Sequence, residues 1–131
     1  MGISIVCVAV MWLLNLAPRL VVSKEMARLP GGYNNNDPRG QQAMLEGRGK
    51  RALAAHQNTL ENFPPFAAAV ALAHIAHAAP GVVAALSVAY VLVRGAYIVF
   101  YLDDKAPARS SMYALGLLLV VAIFASPLFA R

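Results

Sequence analysis

The sequence predicts an all-α integral membrane fold, a bundle of four transmembrane helices, and three observations lead to it. Of the 131 residues, 60% are hydrophobic and only 13% are charged, and the mean hydropathy is +0.59, which is unusual for a soluble domain. The apolar residues are gathered into four long stretches. These stretches do not show the ~10-residue alternating pattern of transmembrane β-strands. We therefore predict a single transmembrane domain over residues 1–131.

The four apolar stretches cover residues 3–22, about 59–79, 81–102 and 112–129. Each is close to the ~20 residues that a helix needs to cross the hydrocarbon core. No Lys or Arg precedes the first stretch, and residues 16–18 form a poor cleavage site, so we read it as a helix and not as a signal peptide. The only cysteine, Cys7, lies in this stretch, so we predict neither a disulfide framework nor a metal site.

The basic residues predict the orientation of the chain. The segment between the first two stretches holds six Lys or Arg residues, and the segment between the last two holds Lys105 and Arg109. Under the positive-inside rule both segments face the cytoplasm, and both termini lie on the opposite side. The formal charge of +5 could also indicate nucleic-acid binding. Membrane topology already explains these charges, so we expect no nucleic-acid partner.

Turn-forming residues divide the long first loop from the second helix. Residues 30–38 are rich in Pro, Gly and Asn, which breaks a helix. Asp37 is expected to be an N-cap, with Pro38 in the first helical position. From Gln41 to His77 only Pro64 and Pro65 interrupt the helical pattern. A single helix of that length would measure ~60 Å, so half of it would stand outside the bilayer, with a kink at the two prolines.

A carboxylate within the second stretch is the strongest indication of a functional site. Glu61 and its neighbours Asn58 and Asn62 lie in a membrane-length apolar segment, where a charge costs at least ~2.5–3.5 kcal/mol and usually faces a partner or a ligand. Helical spacing places polar residues in one stripe on each of two helices: Arg51, Asn58 and Glu61 on the second, and Tyr90, Arg94, Tyr97 and Tyr101 on the third. Two such stripes predict a polar pocket between the helices. The alternative is that Glu61 and Arg94 form an ion pair with each other and that no ligand binds there.

The amino-acid sequences of two segments, one on each of these helices, resemble motifs of a known family. Residues 51–66, Arg-Ala-Leu-Ala-Ala-His-Gln-Asn-Thr-Leu-Glu-Asn-Phe-Pro-Pro-Phe, are similar to the signature of the MAPEG family, the membrane-associated proteins in eicosanoid and glutathione metabolism. Residues 94–101, an arginine followed by two tyrosines four apart, resemble the second block of that family. The chain looks like a bacterial-type member, and the resemblance covers nearly its whole length.

The resemblance implies a homotrimer in the bacterial inner membrane, with glutathione at each subunit interface near the cytoplasmic surface. Carried over by position, the glutathione contacts are Asn58, Glu61, Arg94, Tyr97 and Tyr101. The arginine that activates the thiol corresponds most nearly to Arg109, offset by about one residue, and Lys105 is the second candidate. Two positions depart from the pattern of the eukaryotic members, because Ala54 replaces an arginine and Asn62 replaces an aromatic residue.

The residues also suit glutathione chemically. Its two carboxylates call for arginines and its ammonium for a carboxylate, which Arg51, Arg94 and Glu61 supply. A thiol with a pKa of ~8.5 is mostly protonated at neutral pH, so Arg109 or Tyr97 near the sulfur would favour the reactive thiolate. We thus expect a glutathione transferase or peroxidase acting on hydrophobic electrophiles from the lipid. The alternatives are a non-catalytic protein of the same fold and a small proton-coupled exporter that titrates Glu61.

Overall fold

The computed structural model describes residues 2–129, and this part of the chain is helical throughout, with no strand. Six α-helices follow one another in this range, and a short 3-10 helix, Ser126–Phe129, ends it. The α-helices are α1 (Gly2–Leu14), α2 (Leu16–Ala27), α3 (Pro38–Ala43), α4 (Gly47–Ile75), α5 (Pro80–Leu102) and α6 (Ala106–Ala125). The predicted all-α fold class is confirmed.

The first apolar stretch forms two helices that follow each other almost without a break. Asn15 separates α1 from α2 but keeps right-handed helical angles, φ −57° and ψ −28°. Pro18, which is buried in α2, has no N–H to donate to the carbonyl of Leu14, which explains an irregularity at this point. Together α1 and α2 run over Gly2–Ala27, longer than the predicted 3–22.

The single long helix predicted from Gln41 to His77 is wrong, because the chain turns between α3 and α4. Glu46 is extended, with φ −119° and ψ 172°, and Gly47 has a positive φ of 48°, a conformation that glycine adopts readily. Leu45 is buried in this turn against Val22 and Met26 of α2. Burying Leu45 therefore stabilises a corner where the local sequence holds no proline and its helix-weakening residues are glycines such as Gly47.

The predicted start of α3 is confirmed. Asp37 accepts a hydrogen bond from the backbone N–H of Gly40 at 2.9 Å, and Pro38 is the first helical residue. The helix α4 continues through Pro64 and Pro65. Since neither proline has an N–H, the carbonyls of Leu60 and Glu61 lack their usual helical donors.

Two clusters of buried side chains hold the bundle together. The larger joins α1, α4, α5 and α6, and small residues such as Ala69 and Ala73 of α4 let the helices approach closely. Phe66 of α4 stacks on Tyr90 of α5 with 4.2 Å between ring centroids. The smaller cluster packs α2 against Leu45 and Ala52. As a result, α4 and α5 lie side by side, and their polar residues meet.

Three helical segments within residues 2–129 are long and apolar enough to cross a membrane: Gly2–Ala27, Pro80–Leu102 and Ala106–Phe129. The helix α4 is not among them, because its first half is polar and charged, from Arg48 to Glu61. Three of the four predicted spans are therefore supported by length and composition. The large apolar surface that these helices leave exposed, including Ile3, Leu92 and Leu118, suits an integral membrane protein.

Candidate functional site

A buried arginine lies at the centre of the contact between α4 and α5. The side chain of Arg94 is on α5 with only 1% of its surface exposed. Its Nη2 donates to Asn58 Oδ1 at 3.0 Å and, more weakly, to Thr59 Oγ1 at 3.4 Å. Its Nε has no hydrogen-bond partner. Arg94 therefore carries a buried positive charge that no carboxylate among residues 2–129 neutralises.

The amide of Asn58 is held ready for Arg94 by the next turn of α4. Asn62 Nδ2 donates to the backbone oxygen of Asn58 at 2.8 Å and to its Oδ1 at 3.3 Å. The backbone oxygen of Asn62 in turn accepts a hydrogen bond from the hydroxyl of Tyr90 at 3.1 Å. The Asn62 side chain, which departs from the expected family pattern, thus donates to Asn58 on its own helix, and the link from this turn to α5 is made by the backbone oxygen of Asn62.

Aromatic rings continue the site from Arg94 towards the α5–α6 turn. The guanidinium carbon of Arg94 is 4.3 Å from the centroid of Tyr97, and that of Arg109 is 4.5 Å from the centroid of Tyr101. The two tyrosine rings are edge to face at 5.5 Å. Tyr113 of α6 packs against Tyr97 at 6.4 Å. Both guanidinium groups are within the ~6 Å at which a cation is attracted by an aromatic face.

Arg51 makes contacts within the subunit. Its Nε donates to the backbone oxygen of Leu102 at 3.3 Å, and its Nη1 lies 3.4 Å from Asp104 Oδ2. Asp104 has a positive φ of 59° in the turn between α5 and α6. Arg51 therefore ties the start of α4 to this turn, and three of its five N–H donors are not used in these two contacts.

Glu61 does not reach the other predicted site residues. It is exposed on the surface of the subunit, and its side chain makes no hydrogen bond or ion pair among residues 2–129. The reason is helical geometry: Thr59, which is fully buried against α5, is two residues away, so Glu61 is turned by roughly 160° from it. The alternative of an ion pair between Glu61 and Arg94 is not what the structure contains.

The structure thus brings together Asn58, Arg94, Tyr97 and Tyr101, with Arg109 beside them, and leaves Glu61 on the outer face of α4. Such an arrangement offers guanidinium and hydroxyl donors for the carboxylates or thiolate of a ligand. It also presents a carboxylate on the outer surface, where a cationic group can approach only from outside the subunit. Position 54, where the family pattern has an arginine, is an alanine, so α4 supplies no arginine at this position.

Sequence reasoning missed Thr59 and Tyr113. Tyr113 is four residues after Arg109 on α6, a helical spacing that offered a signal. Thr59 is adjacent to Asn58, and adjacent residues point in different directions on a helix, so spacing offered no signal for it. Thr59 Oγ1 also donates to the backbone oxygen of Ala55 at 2.7 Å, which leaves its lone pairs free to accept from Arg94.

The comparison with known families identifies one family for this chain. The model of the MAPEG family matches residues 2–129, nearly the whole chain. No curated protein matches the chain. A family match of this extent, together with three apolar helices of membrane length and a buried polar contact between α4 and α5, leads to one conclusion. The chain belongs to the MAPEG family of integral membrane proteins.

Proposed function

We propose that the protein is a membrane-bound glutathione transferase or peroxidase that acts on hydrophobic electrophiles. Members of the MAPEG family generally use glutathione, which makes glutathione the first ligand to consider. The observation that carries the proposal is the separation of charge at the site. Arg94 is buried without a carboxylate partner, and Glu61 is exposed without a cationic partner, within the described chain.

Glutathione would satisfy both groups because it carries carboxylates and an ammonium. Its carboxylates pair with Arg94, and with Arg51 through the donors that the contacts to Leu102 and Asp104 leave free. Its ammonium pairs with Glu61. Asn58 and Tyr101 then complete the polar wall, and charge-assisted hydrogen bonds of this kind are roughly twice as strong as neutral ones.

Since Glu61 faces outward, a second copy of the chain is needed to close the site. We infer a homotrimer in which a neighbouring subunit covers this face of α4, so that glutathione is bound between subunits. A charged Glu61 exposed to lipid would cost at least ~2.5–3.5 kcal/mol. A subunit that covers Glu61 removes this cost. In this assembly α4 is the fourth transmembrane helix, shielded by protein over its polar half. The basic loops face the cytoplasm, and both termini lie on the other side.

In the reaction, Arg109 or Tyr97 lies near the sulfur and stabilises the thiolate. A nearby cation or hydroxyl donor favours the deprotonated thiol, which is the nucleophile. The thiolate attacks the electrophilic carbon of the substrate, and the leaving group departs with the bonding electrons. With a hydroperoxide, the thiolate attacks the distal oxygen instead, the O–O bond breaks, and the alkoxide takes a proton and leaves as the alcohol. A second glutathione then displaces water from the resulting sulfenic acid and forms glutathione disulfide. The lipophilic substrate enters from the bilayer.

The test of binding is thermal unfolding in mild detergent with millimolar glutathione. A ligand at 100 times its dissociation constant adds ~2.7 kcal/mol to stability, so the unfolding midpoint should rise. Glu61→Gln should reduce the rise, since the ammonium loses its counter-charge while the side-chain shape is kept. Glu46→Gln is the matched control, because Glu46 is exposed and makes no side-chain cap. An unchanged unfolding midpoint of the wild type with millimolar glutathione would show that glutathione does not bind, and would refute the proposal.

A non-catalytic member of the family is the second candidate. The contacts that Arg51 makes with Asp104 and Arg109 makes with Tyr101 show that both arginines have structural partners within the subunit. A turnover assay distinguishes the two functions. If the protein conjugates glutathione to an aryl halide, and if Arg109→Gln and Tyr97→Phe lower that rate while glutathione still binds, the protein is an enzyme. Glutathione binding without turnover supports the non-catalytic protein.

A further inference from the structure

Two consecutive prolines change the backbone of α4 at the turn that carries Glu61. Pro64 and Pro65 lie inside the helix. In an α-helix the N–H of each residue donates to the carbonyl four residues earlier, and proline has no N–H. The carbonyl of Leu60 therefore lacks its donor at Pro64, and the carbonyl of Glu61 lacks its donor at Pro65. Two adjacent backbone oxygens are left as hydrogen-bond acceptors.

The side chains nearest to this turn donate to other carbonyls. Asn62 Nδ2 donates to the backbone oxygen of Asn58 at 2.8 Å, and the hydroxyl of Tyr90 donates to the backbone oxygen of Asn62 at 3.1 Å. No side chain among residues 2–129 donates to the carbonyl of Leu60 or of Glu61. Carbonyls that a proline frees within a membrane protein are normally satisfied by a neighbouring group. For these two carbonyls that group has to come from outside the described subunit.

The freed carbonyls belong to the exposed face of α4. Leu60 is 47% exposed, and Glu61, Pro64 and Pro65 are exposed as well. Successive carbonyls of a helix are neighbours, so one small cation can contact both of them. The Glu61 carboxylate belongs to the same turn. This turn thus presents three groups that accept hydrogen bonds, and one of them carries a negative charge.

A primary ammonium matches these three acceptors, because it is a compact cation with three N–H donors and no acceptor. The amino group is the only cation of glutathione. Resting on the function proposed above, we propose that the backbone carbonyls of Leu60 and Glu61 bind this ammonium together with the Glu61 carboxylate. Pro64 and Pro65 determine this specificity by withholding the two helical donors. A ligand without the amino group leaves the acceptors unpaired, and sites that lose such a hydrogen bond reject the analogue strongly.

The test is titration calorimetry of the purified full-length protein in mild detergent with two ligands. One is S-hexylglutathione, and the other is its des-amino analogue, in which hydrogen replaces the amino group. Pro64→Ala and Pro65→Ala each restore one helical N–H, and alanine favours the helix. Each should raise the Kd of S-hexylglutathione about fivefold and that of the analogue by less than about twofold. Pro80→Ala is the control and should change neither Kd, because Pro80 is in the first turn of α5, where an N–H has no helical acceptor.

Three other results would overturn the inference, and they differ in what they say about glutathione. If Pro64→Ala and Pro65→Ala weaken both ligands equally, the prolines act only through the shape of α4, and glutathione binding stands. If sodium chloride, but not choline chloride at the same concentration, stabilises the wild type and neither proline variant, while the variants keep their affinity for S-hexylglutathione, the carbonyls hold an inorganic cation. If the wild type binds neither S-hexylglutathione nor glutathione, the proposed function fails, and this inference fails with it.

Discussion

Replacing Asn58 with leucine should show how much the stability of the protein depends on the hydrogen bond that Arg94 donates to Asn58. Asn58 Oδ1 is the nearest acceptor of Arg94, at 3.0 Å, and the other acceptor, Thr59 Oγ1, is at 3.4 Å. Without Oδ1 the buried guanidinium has one weak contact and the ring of Tyr97. Asn62 still donates to the backbone oxygen of Asn58 at 2.8 Å, so little else is lost.

The expected cost is about 2 kcal/mol of the free energy of unfolding. Hydrogen bonds to charged groups contribute ~1.5–3 kcal/mol in proteins, whereas interhelical hydrogen bonds in membrane proteins average ~0.6 and reach ~1.7 kcal/mol. A fully buried charge belongs at the upper end of the membrane range. Thr59→Val removes only the 3.4 Å contact and keeps the shape, so it should cost less than about 1 kcal/mol.

The assay is equilibrium unfolding in mixed micelles of dodecyl maltoside and sodium dodecyl sulfate, followed by helical circular dichroism. The measurement is repeated in the Arg94→Met background, where no guanidinium needs an acceptor. There Asn58→Leu should cost less than about 0.5 kcal/mol, which gives a coupling energy of roughly 1.5 kcal/mol between the two side chains. An equal cost in both backgrounds would refute the reasoning, because Asn58 would then act independently of Arg94.

The remaining predictions concern Asn15 and Gly49, two buried positions away from this pair. Asn15→Leu should stabilise the protein by about 1 kcal/mol in the same assay, because both polar atoms of the Asn15 side chain are buried without partners; a loss of stability would mean that the amide is satisfied in the assembled protein. Gly49→Ala should destabilise by about 1–3 kcal/mol, since a Cβ there would lie 3.0 Å from Leu45 Cδ2 and 3.1 Å from Glu25 Cβ. Gly95→Ala, where a Cβ meets nothing within 4 Å, is the matched control and should stabilise by about 0.5–1 kcal/mol; equal effects at both glycines would contradict the packing argument.

Much of the protein follows from local patterns. The N-cap of α3 at Asp37, with Pro38 after it, and the apolar lengths of α5 and α6 were predictable because capping and hydrophobicity act over a few residues. Asn58 and Arg94 were also identifiable from the sequence as candidate site residues, because polar and charged side chains in an apolar segment are costly and usually have a partner. Family membership followed from the same segments.

The partners of these residues depended on how the helices pack. Spacing grouped Asn58 with Glu61 on one stripe, yet the rotation of α4 against α5 buries Thr59 and turns Glu61 outward. A stripe defined by steps of three and four spans well over 100° of the helix surface, and only the neighbouring helix selects which part of it is covered. Arg51 likewise found an acceptor in Leu102, a residue 51 positions away.

The turn between α3 and α4 shows the same division. Residues 44–46 contain no proline and no cluster of turn formers, so the local sequence favoured one continuous helix. Burial of Leu45 between α2 and α4 is a contact with residues ~20 positions earlier in the chain, and its free energy outweighs the weak helical preference of three residues. Composition and periodicity specified the class of fold and the chemical groups of the site. The orientation of each helix was decided by packing against distant segments, because the local sequence of a helix does not determine which of its faces is buried.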